Sequence, residues 1–317
     1  MISNDINRAA HWLKQEQVIG LPTETVYGLA GNIYSEKAIR TIFELKKRPL
    51  TNPLIVHVGM KEQVSDLAEF IPEAANRLMD AFWPGPLTLL LPKKESVPDL
   101  VTAGHDTVAL RMPNHTVALE LLRLLPFPLA APSANPFGSI SPTTAQHVAD
   151  YFFEMLPVVL DGGSCQSGIE STIVGFEEGR PTVYRLGSIA LEDVEAVIGS
   201  LQFKFHDDDK PKAPGMMSKH YAPKTRLLVT EDIEAAVDIH RDKRVGLLLF
   251  NDKHTRKTVE YQEILSTSAN LKEAAANLYA ALHRLDALGL DMIIAEKFPS
   301  THLGNSINDR LRRASYV

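Results

Sequence analysis

After about residue 225 the apolar runs alternate in kind, and this alternation constrains the fold more than any other feature. Short continuous apolar runs at 227–229, 245–250 and 292–295 read as buried strands. Segments 233–239, 271–285 and 306–313 carry apolar residues at helical spacing instead. Strand and helix in alternation imply parallel strands with covering helices, so residues 225–317 are expected to form a small Rossmann-like parallel α/β domain. No Gly-x-Gly-x-x-Gly follows any of these strands, no Walker A sequence occurs and no internal repeat is present. The usual phosphate loops are therefore missing, and any anion site must be built another way.

The first two-thirds of the chain is organised around residues 46–58. Three cations, Lys46, Lys47 and Arg48, run into Pro49, and Asn52-Pro53 makes a second break. Ala38, Ile39, Ile42, Phe43 and Leu45 recur at helical spacing, which predicts an amphipathic helix over 35–47. Pro49 disfavours helix at Arg48, and residues 54–58 then read as a buried strand carrying His57. Cations in a last helical turn suit the macrodipole and ordinarily face solvent. The other reading is an anion site, with Lys46 and Arg48 aimed at phosphate or carboxylate.

The remaining segments bear on that choice. Residues 6–13 predict a short helix capped by Ser3 or Asn4, and 18–21 a strand that leads into the polar turn 23–28. In the alternating run 107–112, Thr107 and Arg111 share one strand face, which suits either water or a cavity wall. Ser133-Ala134-Asn135 forms a polar corner after a strand, and Ser141 before Pro142 predicts a helix N-cap. Ser188 is placed as the cap of a helix over 190–198. Few acids lie among these corners, whereas Lys46, Arg48, Arg111 and Arg185 recur at element ends, which favours an anionic ligand. Residues 207–212 are charged and expected to be exposed. Residues 213–223 hold prolines, His220 and Tyr221 without helical or strand period, and read as an inter-domain linker.

Composition excludes several classes. A net charge of -6 with 7% aromatic residues argues against a basic, aromatic-studded RNA or ribosome-binding surface, the main rival reading of the cationic corners. The single cysteine, Cys165, permits neither an intrachain disulfide nor a multi-cysteine zinc site. No basic-then-apolar leader opens the chain and no apolar run is long enough to span a bilayer, so a cytoplasmic protein is expected.

Together these segments resemble a known family. Lys46-x-Arg48-Pro49 with Asn52-Pro53-Leu54, followed by Ser133-x-Asn135, resembles the paired Lys-x-Arg and Ser-x-Asn motif of YrdC-like proteins. Pro22-Thr23-Glu24-Thr25-Val26-Tyr27-Gly28, Trp83-Pro84-Gly85-Pro86 and Gly168-Ile169-Glu170-Ser171-Thr172 look like the same family, in the same order. With a linker and a C-terminal α/β domain, nearly the whole chain is similar to the long form of the YrdC-like family of threonylcarbamoyl-AMP synthases. The resemblance implies a twisted mixed sheet with helices around an open cationic cavity over residues 1–203, a linker and lid over 204–224, and the Rossmann-like domain over 225–317.

It also implies a nucleotidyl transfer. L-threonine, bicarbonate and ATP would give threonylcarbamoyl-AMP and pyrophosphate. The product would pass to downstream tRNA threonylcarbamoyl-transferase proteins, without stable tRNA binding and away from any membrane. By position, Arg48, Asn52, Thr107, Ser133, Ser141, Arg185 and Tyr221 are expected at ATP. Thr25, His57, Arg111, Ala131 and Ser171 are expected at threonine, with Ala131 acting through its backbone. Lys46, Arg48, Ser133 and Asn135 make up the catalytic motif. ATP is a substrate, Mg²⁺ is expected to arrive with it, the chain's own metal ligands are unassigned and no redox cofactor is implied. The linker departs from the family's commoner form at Met217, Ser218 and Lys219 and matches it at His220, Tyr221 and Pro223. The carbamoyl-transferring relative that matures hydrogenases carries cysteine-rich zinc modules, which one cysteine cannot form.

Overall fold

The computed structural model describes residues 1–205, 211–216, 220–256 and 258–315. The charged run at 207–210 and the departures at Met217, Ser218 and Lys219 lie outside the described residues.

Two sheets account for the strands among the described residues. The first has eleven strands drawn from residues 2–203, mixed in direction. The second has four, in the order Arg226–Thr230, Met292–Glu296, Val245–Leu249, Tyr261–Ile264, and every pairing in it is parallel. The alternation of the C-terminal sequence is therefore realised as expected. The strand Tyr261–Ile264 was not expected, because each of its four residues is only half-buried and no continuous apolar run marks it.

In the large sheet, Ile55–His57 lies between Leu129–Ala130 and Thr107–Arg111. Leu87–Pro92 follows Thr107–Arg111 in antiparallel pairing, then Thr172–Glu177 and Arg180–Arg185. This arrangement brings the ends of several strands to one edge. His57 stands opposite Arg111, Leu87 opposite Thr172, and Ile173 opposite Arg185. Thr107, at the other end of its strand, is about 13 Å from Arg111 at ~3.3 Å per residue.

Helix Ile6–Lys14 is capped by Asp5, whose carboxylate accepts from the Arg8 N–H at 3.0 Å; Ser3 instead accepts from Asp5 N–H, so neither Ser3 nor Asn4 is the cap. Helix Glu36–Lys46 starts at Ser35, as its spacing predicts. One large apolar core lies under the mixed sheet. A second belongs mainly to the C-terminal sheet but also takes in Val26, Ile140 and Ile169 from the first part of the chain, so the two parts share buried apolar surface.

Candidate active site

The basic stretch is turned inward. Helix Glu36–Lys46 ends at Lys47 in the left-handed region, φ 53°, and the Arg48 N–H reaches back to the Phe43 carbonyl at 3.0 Å. This helix stop reverses the chain. Lys46 is 1% exposed and Arg48 7%, while Lys47 stays in solvent. The solvated-face reading therefore fails for the two residues of the motif.

The two cations do different work. Lys46 Nζ donates to the carbonyls of Ser133 at 2.5 Å and Asn135 at 2.6 Å, and Asn135 Nδ2 donates to the carbonyls of Pro136 and Ser139, both at 2.9 Å. Lys46 and Asn135 thus build the polar corner that presents Ser133 to the cavity. Arg48 Nη2 donates to Asn52 Oδ1 at 2.6 Å and to the Pro53 carbonyl at 2.9 Å, so Asn52 aims the guanidinium. Arg48 itself lines the cavity.

Beside it is a second group of side chains. Arg111 Nη1 donates to Thr25 Oγ1 at 2.9 Å, and Nη2 sits 2.7 Å from Glu24 Oε2 without the alignment of a hydrogen bond. Strand register places His57 next to Arg111, and burial together with that cation pulls the imidazole down to about 3, so it is neutral. Its Nδ1 is buried without a hydrogen-bond partner among the described residues. Arg185 Nη2 donates to Ser171 Oγ at 3.0 Å and to the Ser171 carbonyl at 2.9 Å. Ala131 completes this wall.

Burial disfavours the cationic forms throughout. Desolvation, then the neighbouring Arg185, pulls Arg48 down to about 9; desolvation is likewise the largest influence bringing Arg185 to about 10. Lys46 is held well below its usual range by burial and by Arg48. Arg111 has Glu24 beside it, but neither Arg48 nor Arg185 forms an ion pair with a described residue. An anion entering between them restores what burial removed.

The linker closes the cavity. Pro214, Gly215, His220 and Tyr221 line it, and Arg185 Nη1 donates to the Pro214 carbonyl at 3.2 Å. Tyr221 adopts φ 65°, and its buried hydroxyl has no partner among the described residues. The space left between these groups is about 50 Å³, small beside the roughly 300–1,000 Å³ of ordinary ligand pockets.

Several expectations are corrected. Ser141 is not an N-cap: helix Ala145–Phe152 is capped by Thr144, because Ser141 Oγ donates to the stronger acceptor Glu170 Oε1 at 2.7 Å. Ser188 donates to the carbonyls of Ile169 and Glu170, and Ala190 stands at the start of helix Leu191–Ile198 instead. His220, for which the sequence left a surface position as an even alternative, is buried. Acids are less scarce than the sequence implied, since Glu24 and Glu170 are both buried at the site. A charge balance over the motif segments could have found them. Of the expected contacts, Thr25, Arg48, His57, Arg111, Ala131, Ser133, Ser171, Arg185 and Tyr221 line the cavity, while Lys46, Asn52, Asn135 and Ser141 support it from behind and Thr107 stands apart. Among the described residues no group of three or more His, Cys, Asp or Glu is arranged to hold a metal ion.

Known proteins resemble this chain over nearly its whole length. Residues 11–187 match the family described as telomere recombination, and residues 189–315 match the threonylcarbamoyl-AMP synthase C-terminal domain. The chain is 41% identical to the threonylcarbamoyl-AMP synthase of Pyrococcus abyssi, over 98% of this chain and 94% of the relative. It is 41% identical to that of Bacillus subtilis, over 98% and 92%. The crystal structure of P. abyssi Sua5 complexed with L-threonine superimposes with a TM-score of 0.93, covering 98% of this chain and 94% of that one.

Proposed function

The chain belongs to the threonylcarbamoyl-AMP synthase family and is an enzyme of the transferase class, and from that premise we propose that it converts L-threonine, bicarbonate and ATP to threonylcarbamoyl-AMP and pyrophosphate. The observation that carries this reading is the pair Arg48 and Arg185, buried at one cavity, each disfavoured as a cation and neither ion-paired with a described residue. The bonds both make to their surroundings go to neutral acceptors, which leaves the two charges for an anion.

The chemistry needs no protein nucleophile. The threonine amine adds to bicarbonate with loss of water, giving a carbamate. A carbamate oxygen then attacks the α-phosphorus of ATP, and the bond to pyrophosphate breaks. Both reactants are anionic, so positioning and charge dominate the rate. Arg48, Ser133, Arg185 and Tyr221 hold the phosphates, with Asn52 and Ser141 behind them and Thr107 at the adenosine end. Arg111, Thr25 and Ser171 hold threonine's carboxylate and hydroxyl, His57 and the Ala131 backbone its remaining contacts. The complex of the P. abyssi relative with L-threonine supports the choice of amino acid. Mg²⁺ enters as part of the MgATP substrate, since it favours phosphates and few carboxylates. The linker acts as a lid that shields the mixed anhydride from water. The product serves other proteins that modify tRNA in the cytoplasm; among the described residues no helix is long and apolar enough to cross a membrane. Residues 1–203, 204–224 and 225–317 act as catalytic domain, lid and supporting domain.

The test is pyrophosphate release by the purified chain, without tRNA, omitting threonine and bicarbonate in turn. Release is expected only with both present. Release that requires added tRNA overturns the reading.

A further inference from the structure

Glu170 is out of place in an anion site. It lines the cavity, is 6% exposed, and immediately precedes Ser171. A bare carboxylate there would oppose the triphosphate that Arg48 and Arg185 attract. Its counter-charge comes from the other end of the chain. Arg310, on helix Leu303–Ala314, donates from Nε to Glu170 Oε2 at 2.8 Å. Tyr279, on helix Leu271–Asp286, reaches Oε1 at 3.1 Å and Oε2 at 3.0 Å with its hydroxyl. Ser141 Oγ supplies a third contact.

This seam is held against movement. Arg310 Nη2 donates to the Leu186 carbonyl at 2.6 Å and Nη1 to Asp309 at 2.9 Å. Ser306 Oγ donates to the Gly187 carbonyl at 2.8 Å. Gly168, φ 70°, lies so near the Ala275–Ala276 backbone that an added Cβ would come within 2.3 Å of the Ala276 carbonyl.

We propose that Arg310 and Tyr279 are positioning residues for the nucleotide: from the C-terminal domain they neutralise and orient the Glu170 carboxylate, so that phosphate meets Arg48 and Arg185 unopposed and Ser141 stays in place. This rests on the functional reading above. The C-terminal domain is then part of the site's electrostatics as well as a support for the lid. Burial pushes the Glu170 carboxyl up, but Arg310 and Arg185 outweigh it and hold the group below the usual range. The charged and titratable groups around it and its partner Arg310 are Arg185 from the sheet, Asp309 from the Arg310 helix, Tyr279 from the other helix and Tyr221 from the linker, with Arg313 beside Asp309; His283 bonds the Ser141 carbonyl. Without Arg310, Glu170 keeps Arg185 as its neighbouring cation, and competes with phosphate for it.

The test measures MgATP binding to the full chain by calorimetry at pH 7.5 and 5.5. The variants are Arg310→Met, Glu170→Gln and both together, with folding checked by circular dichroism. Arg310→Met is expected to weaken MgATP about tenfold or more at pH 7.5, and to recover at pH 5.5 as Glu170 takes a proton. The double variant is expected within about threefold of the wild type, with the added pH dependence gone. Wild-type binding at both pH values corrects for protonation of the nucleotide and other groups. Unchanged affinity in Arg310→Met overturns the proposal. So does a folded double variant as weak as the single one, which would mean simple packing. Should Arg310→Met fail to fold, the comparison of Tyr279→Phe with wild type decides: a weaker, more pH-dependent MgATP affinity supports the proposal and none opposes it. Pyrophosphate release by the wild type separates the two readings. Turnover without the binding pattern ends this inference alone; the pattern without turnover ends the functional reading alone.

Discussion

The two sheets differ in the charge they bury. Around the eleven-stranded sheet Glu24, Lys46, Arg48, Arg111, Glu170 and Arg185 are all buried. Around the four-stranded sheet the ion pairs Arg284–Glu263, Lys297–Glu231 and Arg256–Glu234 each keep at least one partner in solvent. The buried cations described there are Arg310 and Arg313, and both face the other part of the molecule: Arg310 meets Glu170, and both guanidinium groups lie about 5 Å over the Tyr221 ring. Burying an ion is costly, so the contrast marks where a ligand or a second domain repays the cost. By this criterion the C-terminal part is a scaffold whose described buried cations are directed at the linker and the cavity.

The contrast breaks most directly at the basic motif. Arg48→Ala is expected to lower kcat/KM by roughly tenfold to a hundredfold, the worth of about 1.5–3 kcal/mol for a charge-assisted contact. Its melting temperature should change little. Lys46→Ala should lose activity and also melt earlier, because the carbonyls of Ser133 and Asn135 lose their shared donor. Kinetics together with calorimetry on both variants checks this. Near-normal rates in both would return the stretch to an ordinary helix end.

The buried groups are also the acid-sensitive ones. Burial holds His57 at about 3 and His147 at about 4, and lowers His220 and His283 as well. Each takes up a proton on unfolding, so stability should be full above about pH 6.5 and fall as pH drops toward the folded values. His57 alone should cost about 2 kcal/mol at pH 5, at 1.36 kcal/mol per pKa unit. Urea midpoints at pH 7 and pH 5 measure the loss, and His57→Asn should reduce it. Equal midpoints would mean these rings are hydrated.

How much of this could be read from residues alone differs between the two regions for the same reason. The C-terminal strands and helices were legible because their apolar runs are local and continuous. Tyr261–Ile264 escaped because a half-buried edge strand has no such run. In the first region local spacing placed helix Glu36–Lys46, but could not say which way the cations face. That depends on the left-handed Lys47 and on the distant Ser133–Asn135 corner. Ser141 was read as a cap because capping is a local rule; its partner Glu170 is 29 residues away. Arg310 is 140 residues from Glu170, and nothing in the periodicity of its helix announces that contact.

A smaller effect sharpens the comparison at the lid. The Tyr221 hydroxyl is buried with no described partner, so in the absence of ligand it is a liability. Tyr221→Phe should leave the melting temperature equal or higher and weaken MgATP several-fold, as expected for one hydrogen bond of ~0.5–1.5 kcal/mol. Unchanged nucleotide affinity would assign the ring to packing on Tyr279, Arg310 and Arg313 alone.

The smallest effect is the control that gives the others meaning. Arg284 and Glu263 form the best-aligned ion pair on the C-terminal sheet, with Nε and Nη2 donating to the two carboxylate oxygens at 2.8 and 2.6 Å. In geometry the pair rivals Arg310–Glu170, but the Arg284 side chain is 57% exposed. Water screens the attraction, and two long side chains lose freedom to make it. Arg284→Gln should therefore change stability by less than about 1 kcal/mol and leave pyrophosphate release at the wild-type rate. Thermal melts in low and high salt test the cause, since a screened surface pair loses its small contribution as salt rises. A loss of activity in Arg284→Gln would mean that the C-terminal domain transmits charge to the cavity from its outer face too. The division between a buried, working set of charges and an exposed, idle one would then not hold.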